Sequence, residues 1–438
     1  MKPFHTFTNQ LLLLIILAFV GMIFSAEFLV AQVLIWSVVI AVFRWDAEAK
    51  RVRVREEFSR RLRVWWSHPA FAAVTIPALL VLLGMFYSTD AAYSWERLRL
   101  KAPFLLLPFV FVSVPVFRKR HVLFLVAAFV VVVSIAAFGI SINYALHFEA
   151  FNEGLLRGQP IATPSNHIRF SLAVVLAIIG AGWLSVERFY LFHATERWIY
   201  GILGLSLITF LHLLSVRSGL VVFYAVMGVT AVWVLIAQRN IWLGAGALMA
   251  VLLLPILAYQ LMPSLQNKIG YMRYDLEQYF NENAEHYSDS ERLQSLEIGF
   301  SILRDHPLVG VGPGDLKQET QTRYAQRFPD GASVRMPHNQ LLTIGAGSGV
   351  LGLLLFLGAF FTPLLSRKAY RHLPFLLFHL VFLLSFLFEN TLENNYGITL
   401  YLLWVLIGIN YLQSQGNRNE VNEKSPPPND RVVAERAF

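Results

Sequence analysis

The chain has 438 residues, of which 56% are hydrophobic and 15% charged, against roughly 25% charged in an average soluble domain. That balance argues against a single soluble fold. Thirty-six Lys and Arg against 28 Asp and Glu give a net charge of +8, but the excess lies in short segments between apolar runs, where it reports orientation in a membrane rather than nucleic-acid binding. With no Cys in the chain, disulfides, thiolate zinc sites and iron–sulfur clusters are excluded.

Apolar runs of about 16 to 22 residues are long enough, at about 1.5 Å per residue, to cross a hydrocarbon core of about 30 Å. They predict spans near 10–27, 28–43, 69–87, 102–117, 121–141, 168–185, 198–214, 218–237, 241–259, 339–364, 373–388 and 396–412. The expected architecture is an all-α polytopic membrane protein, with one transmembrane domain over 1–412. The first run, with Lys2 before it and Phe24-Ser25-Ala26 after it, has some features of a signal peptide. The second run follows almost without a break, so the first is read as an uncleaved anchor.

Arg44, Lys50, Arg51, Arg53, Arg55, Arg60, Arg61 and Arg63 fall in segment 44–67, and Arg118-Lys119-Arg120 form the turn 118–120. Arg188, Arg197, Arg239, Arg367, Lys368 and Arg371 fall in later loops of the same parity. Basic loops stay on the cytoplasmic side, which places both termini there as well. The stretch 413–438, with Pro426-Pro427-Pro428 and no apolar periodicity, reads as a disordered cytoplasmic tail. The opposite parity holds 88–101, 142–167, 260–338, 389–395 and the tight turn at Arg217. The loop 260–338 is too long for a simple connection and is expected to fold over the membrane mouth. Within it, Ser288 to Glu291 fits a capping box, Leu293, Leu296, Phe300 and Leu303 share a helical face, and Pro307 stops the run. An interfacial helix is expected near 290–305.

Four polar groups of outward parity stand beside apolar spans: His167 with Arg169, Arg217 with Ser218, Arg292, and His338 with Asn339. Three of them sit where helices enter from outside, so helix N-termini add partial positive charge at that mouth and an anion is the natural ligand. Arg217 interrupts an almost continuous apolar stretch from Ile202 to Ile236, where an ionised residue is expensive. An Arg snorkelling to headgroups is the alternative there. His167 has the alternative of capping the following helix, Arg292 that of an ordinary loop charge, and His338 that of a loop histidine. An imidazole beside cations is equally suited to general-base work. Glu389 and Glu393, four apart at an outward helix end, either support the arginines or sit in water. Asp289-Ser290-Glu291 has acidic metal-pair spacing, but the capping box explains it and no His or Asp cluster completes an octahedral site. No metal or other cofactor is expected. Gly310-Val311-Gly312-Pro313-Gly314 lacks the G-x-G-x-x-G spacing of a nucleotide loop and reads as a turn.

Taken together, Arg217-Ser218-Gly219 opening a span, Arg292 ahead of His306-Pro307-Leu308-Val309-Gly310-Val311-Gly312, Pro337-His338-Asn339-Gln340-Leu341 and Gly347-Ser348-Gly349-Val350-Leu351-Gly352 resemble the bacterial O-antigen ligase and polymerase superfamily. The resemblance covers roughly 165–400 by motif and the whole chain by span count. It implies a GT-C-like inner-membrane glycosyltransferase of about a dozen helices with a large periplasmic loop. It also implies a glycan donor on undecaprenyl diphosphate and, in the ligase branch, lipid A core as acceptor. By the same resemblance His338 is the catalytic histidine, Arg217 and Arg292 bind the diphosphate with Arg169 as a third cation, and the polyprenyl tail lies among the spans. His167, Asn339, Glu389 and Glu393 would support them. The ligase reading is favoured over a polymerase joining repeat units on the same carrier and over a protein O-oligosaccharyltransferase. A transporter would call for ionisable residues near mid-membrane and matching Gly or Pro breaks in two halves, and the sequence has neither.

Overall fold

In this computed structural model the described residues are 7–46, 50–55, 58–114, 117–280, 288–328 and 333–424. The chain opens with a helical hairpin, α1 (Phe7–Ile23) and α2 (Glu27–Val42), then a two-stranded antiparallel ribbon, β1 (Phe43–Asp46) and β2 (Arg51–Val54), and α3 (Phe58–Ser67). The expected span 69–87 is two pieces, α4 (Pro69–Val74) and α5 (Ile76–Gly84). Pro69 and Pro77 each stand in the first turn of their helix, where a missing N–H costs nothing. What reads in sequence as the loop 88–101 holds α6 (Ala91–Lys101), whose first turn is closed by Asp90 accepting from Tyr93 N at 2.8 Å. The next span is shorter than 102–117, as α7 (Pro103–Ser113).

There follow α8 (Lys119–Leu146), α9 (Phe148–Leu156), α10 (His167–Val186), α11 (Glu196–Leu214), α12 (Arg217–Ala237) and α13 (Ile241–Leu261). The long loop 260–338 carries α14 (Pro263–Phe280), α15 (Ser288–Asp305) and α16 (Leu316–Arg327). The chain then closes with α17 (Gln340–Leu365), a 3-10 turn at Ser366–Arg371, α18 (Leu373–Phe388) and α19 (Asn395–Lys424). Seven described helices, α8, α10, α11, α12, α13, α17 and α19, are long and apolar enough to cross a membrane, and α1, α2 and α18 are shorter apolar helices. The chain is an all-α polytopic membrane protein.

The last helix runs past 412 to Lys424, because no proline interrupts it before Pro426; residues 425–438, with the proline run, lie outside the described residues. On α15, Ser295, Ile298, Gly299 and Ile302 are buried, while Leu293 and Phe300 of its apolar face are exposed. Gly299 decides this: a Cβ there would come within 2.7 Å of Pro337 Cγ, so the small-residue face is the one that approaches α17. The expected capping box falls on the side chains of 288–290, which lie outside the described residues.

The centre is aromatic. Trp404 of α19 stands 5.0 Å from Phe129 of α8, 4.5 Å from Phe378 of α18 and 5.9 Å from Phe19 of α1. Such pairs add about 0.5–1.5 kcal/mol each beyond area burial. Asn410 is a buried polar residue: its Oδ1 accepts from Phe117 N at 2.7 Å and its Nδ2 donates to Phe111 O at 3.2 Å. It thereby satisfies backbone groups released near the end of α7, as an apolar interior requires.

Within α17, Gly349 leaves the helical region at φ 66° and ψ −174°. The freed carbonyls are taken by the chain segment that follows α15: Val311 N donates to Ala346 O and Gly312 N to Gly347 O, both at 3.0 Å. In return Val350 N donates to Pro307 O at 2.7 Å. The glycine-rich turn therefore plugs a broken helix, and the non-helical backbone is tolerable because these groups are paired within the protein. A side chain at Gly349 would run into the Leu308 carbonyl, and one at Gly310 (φ 70°) would meet the α17 backbone at 2.5 Å.

Candidate functional site

The start of α10 is set by Asn166, whose side chain accepts from Ile168 N at 3.0 Å. This corrects the capping alternative for His167, which instead occupies the first turn. The start of α17 is set by Asn339, whose Oδ1 accepts from Leu342 N at 2.9 Å while its Nδ2 donates to Leu387 O at 3.2 Å. Asn339 thus ties α17 to the end of α18. His338, just before that cap, is held by its own backbone N–H donating to Ser295 Oγ of α15 at 3.2 Å.

Glu389 ends α18 and is buried. Its two oxygens face two groups: Oε1 lies 3.7 Å from Arg169 and Oε2 lies 3.7 Å from His338 Nδ1. Both separations are within ion-pair reach and beyond hydrogen-bond length. Burial opposes the Glu389 charge, but His338, Arg169 and Arg292 outweigh it and hold the carboxyl below its usual range. His167 lies in the field of Lys268, Arg292 and Glu389. His338, Glu389, Arg169, Arg292 and His167 therefore share one neighbourhood. Arg169 Nε and His338 Nδ1 are buried there without a hydrogen-bond partner.

Arg217 opens α12 after Ser215, which turns the chain in the left-handed region at φ 54°. Two residues on, a Cβ at Gly219 would come within 2.5 Å of Ser171 Oγ. The start of α12 therefore sits against the first turn of α10, which carries Arg169. Ser215 Oγ also meets Ser264 Oγ of α14 at 3.3 Å.

Glu393 stands apart from this group. Its carboxylate pairs with Arg97, lies 2.8 Å from Lys101 Nζ and accepts from Gln340 Nε2 at 2.7 Å. Gln340 Oε1 in turn accepts from Leu392 N at 2.7 Å. These residues border a cavity of about 140 Å³ beneath α6. In sequence Glu389 and Glu393 share one expected role, whereas the structure gives them different partners, among them Lys101 and Arg97. The signal for Lys101 was its place at the very end of α6, immediately before an apolar span.

A second cavity, of about 150 Å³, holds Arg169 with Ser25, Asn166, Asn394 and Tyr396. It shares Glu27, Val30, Asn395 and Thr399 with an apolar groove of about 620 Å³ walled by α1, α2, α7 and α19. The two therefore adjoin. An anionic group has Arg169 and helix N-termini in the first of these, and an apolar chain has a groove of ordinary ligand size in the second. Among the described residues no group of three or more His, Asp or Glu is placed to hold a metal ion.

Residues 201–357 match the family model described as O-antigen ligase, which takes in α12 to α16, Arg217, Arg292 and His338. No curated protein gives a significant match to the chain.

Proposed function

We propose that this membrane protein is a glycosyltransferase that moves a glycan from undecaprenyl diphosphate to lipid A core, at the periplasmic face of the inner membrane, a reading supported by the match of residues 201–357 to the O-antigen ligase family model. The observation that carries the reading is the meeting of His338, Glu389 and Arg169 at the starts of α10 and α17. Arg292 acts on the same group, and Arg217 opens α12, whose start packs against α10.

The acceptor hydroxyl attacks the anomeric carbon, and the bond from that carbon to the diphosphate oxygen breaks with its electron pair leaving on the phosphate. His338 takes the hydroxyl proton. Its Nδ1 is turned to Glu389, so Nε2 is the nitrogen left to act as base, and the carboxylate stabilises the imidazolium that forms. Arg217, Arg292 and Arg169, with the helix N-termini, stabilise the leaving diphosphate. Attack opposite the leaving group inverts the anomeric centre. The polyprenyl tail lies in the groove between α2 and α7.

The test uses a strain lacking the chain, complemented with variants. Its lipopolysaccharide is run on a gel and its carrier-linked glycans are extracted. Rough lipopolysaccharide with long glycan stranded on the carrier is the expected result, whereas core capped by a single repeat means a polymerase. Unaltered lipopolysaccharide and carrier pools defeat both. Complementation by His338→Ala should fail at normal protein level, since a general base is worth about 10²–10⁴-fold. Unchanged transfer by Arg217→Ala would sink the proposed site.

A further inference from the structure

The ribbon β1–β2 has a register that sorts its side chains by chemistry. Phe43 pairs with Val54, Arg44 with Arg53, Trp45 with Val52 and Asp46 with Arg51. Alternate pairs point to opposite faces, so one face is Phe43, Val54, Trp45 and Val52, and the other carries Arg44, Arg53 and Arg51. All four apolar residues are exposed, with Trp45 at 65% and Val52 at 60%. A two-stranded ribbon of this length is marginal in water by itself.

Its position supplies the missing surface. Phe43 follows directly on the last residue of the apolar helix α2. The second strand is fastened back to that helix end: Arg55 N donates to Val42 O at 2.9 Å and Arg55 Nε to Ile40 O at 3.1 Å. The ribbon therefore starts where a span leaves the hydrocarbon. The next element repeats the pattern: α3 buries Trp65 against Phe109 of α7 and leaves Val64 and Trp66 exposed beside Arg60 and Arg63. Over 44–67 the sequence has eight basic residues against four acidic ones.

We propose that β1–β2 and α3 form an interfacial platform that lies on the bilayer, with Phe43, Trp45, Val52 and Val54 in the acyl boundary and the arginines on the phosphates of anionic lipids. An apolar face with a basic opposite face is the pattern by which amphipathic elements lie in an interface, and basic residues favour anionic headgroups. The platform does not depend on the transfer reaction.

The chain contains no Cys, so Val52→Cys supplies the only thiol for a nitroxide label in the full-length protein. Arg51→Cys does the same for the other face, and both positions are exposed. Each labelled protein is reconstituted in phosphatidylcholine vesicles with and without phosphatidylglycerol. Collisions with oxygen, which concentrates in the bilayer, are compared with those of a water-soluble nickel chelate. The expected oxygen-to-nickel ratio is several-fold higher at 52 than at 51, and rises further with phosphatidylglycerol. Replacing Arg44, Arg51 and Arg53 by Gln in the Val52→Cys protein should abolish that rise. Equal ratios at 52 and 51 would overturn the proposal and leave the apolar face to water or a protein partner. A high ratio indifferent to phosphatidylglycerol would overturn its anionic-lipid part. Val54→Cys, on the same face, repeats the measurement should Val52→Cys fail to fold.

Discussion

Two regions of one short connection, 389–394, each set a carboxylate among cations, and they are built differently. Around Glu393 the network is closed: Arg97, Lys101 and Gln340 all reach the carboxylate, and Gln340 also takes Leu392 N. Around Glu389 the separations are 3.7 Å, and Arg169 Nε and His338 Nδ1 have no hydrogen-bond partner. A closed network spends its polar capacity on holding α6, α17 and the connection together. An open one keeps donors for something else, and buried donors without partners cost enough that a fold retains them only with compensation. On the proposed function, Glu393 is a structural carboxylate and Glu389 the one that serves the chemistry.

The sharpest way to break that assignment is Glu393→Gln. Lys101 is almost fully buried, and removing one partner of a buried pair costs about 3–5 kcal/mol, because the other charge is left uncompensated. The expected outcome is a clear fall in the melting temperature of the purified protein in detergent. Glycan transfer per folded molecule should change little. If stability holds and transfer is lost, the two carboxylates share one role after all.

Glu389→Gln should do the reverse. The amide keeps the shape of the side chain and loses its charge, so the support given to His338 and Arg169 drops by about 1.5–3 kcal/mol, or roughly ten- to a hundredfold in transfer. Melting should fall less than in Glu393→Gln, because Glu389 meets its partners at 3.7 Å rather than in a closed hydrogen-bonded network. The same charge sets a pH dependence in the parent protein. Since the Glu389 carboxyl is held below its usual range, it is ionised at neutral pH. Its contribution is complete above the ordinary carboxylate range and is lost only as pH falls through the lower folded value. Transfer by the Gln variant should lack that acid limb.

Much of this was legible in the sequence, and the limits have physical reasons. Hydropathy located the long helices because each needs about 20 apolar residues to cross. Arg217 and Arg169 stood out because charge beside apolar spans is costly. The different partners of Glu389 and Glu393 were not legible, since they depend on where α6 packs, and α6 was read as loop. Pro77 divides α4 from α5, and sequence reading ran one span through it. Gly349 breaks α17, but Gly345, Gly347 and Gly352 flank it, and nothing local says which of them leaves the helix. The ribbon was written in the chain as the alternation Phe43-Arg44-Trp45 and Arg51-Val52-Arg53-Val54. Its arginines were absorbed into the count of basic residues, which hid a period of two. On α15 the period of the larger residues does not tell which side packs: Leu293 and Phe300 stay exposed, and Gly299 sets the approach to α17.

The smallest effect sharpens the comparison from outside it, at the clamp that seats the glycine-rich turn. Asp315, just before α16, accepts from Thr89 N at 2.8 Å, Thr89 Oγ1 at 3.0 Å and Asp90 N at 2.8 Å, and so joins the long loop to the chain between α5 and α6. Burial opposes its charge, and the hydrogen bonds from Asp90 and Thr89 outweigh that, lowering its carboxyl from the usual value. A depressed folded value means stabilisation that is present above the ordinary carboxylate range and lost as pH falls through the folded one. Asp315→Asn keeps one acceptor oxygen and removes the charge. The site is partly open to solvent, so the expected loss is about 1 kcal/mol rather than the full worth of a charged hydrogen bond. It should appear as a slightly lower melting temperature at neutral pH that converges on the parent's in acid. Because α6 carries Arg97 and Lys101, loosening this clamp should reach the Glu393 network before the Glu389 site. The variant should add less than independently to Glu393→Gln and fully independently to Glu389→Gln, which a double-mutant cycle on melting and transfer resolves.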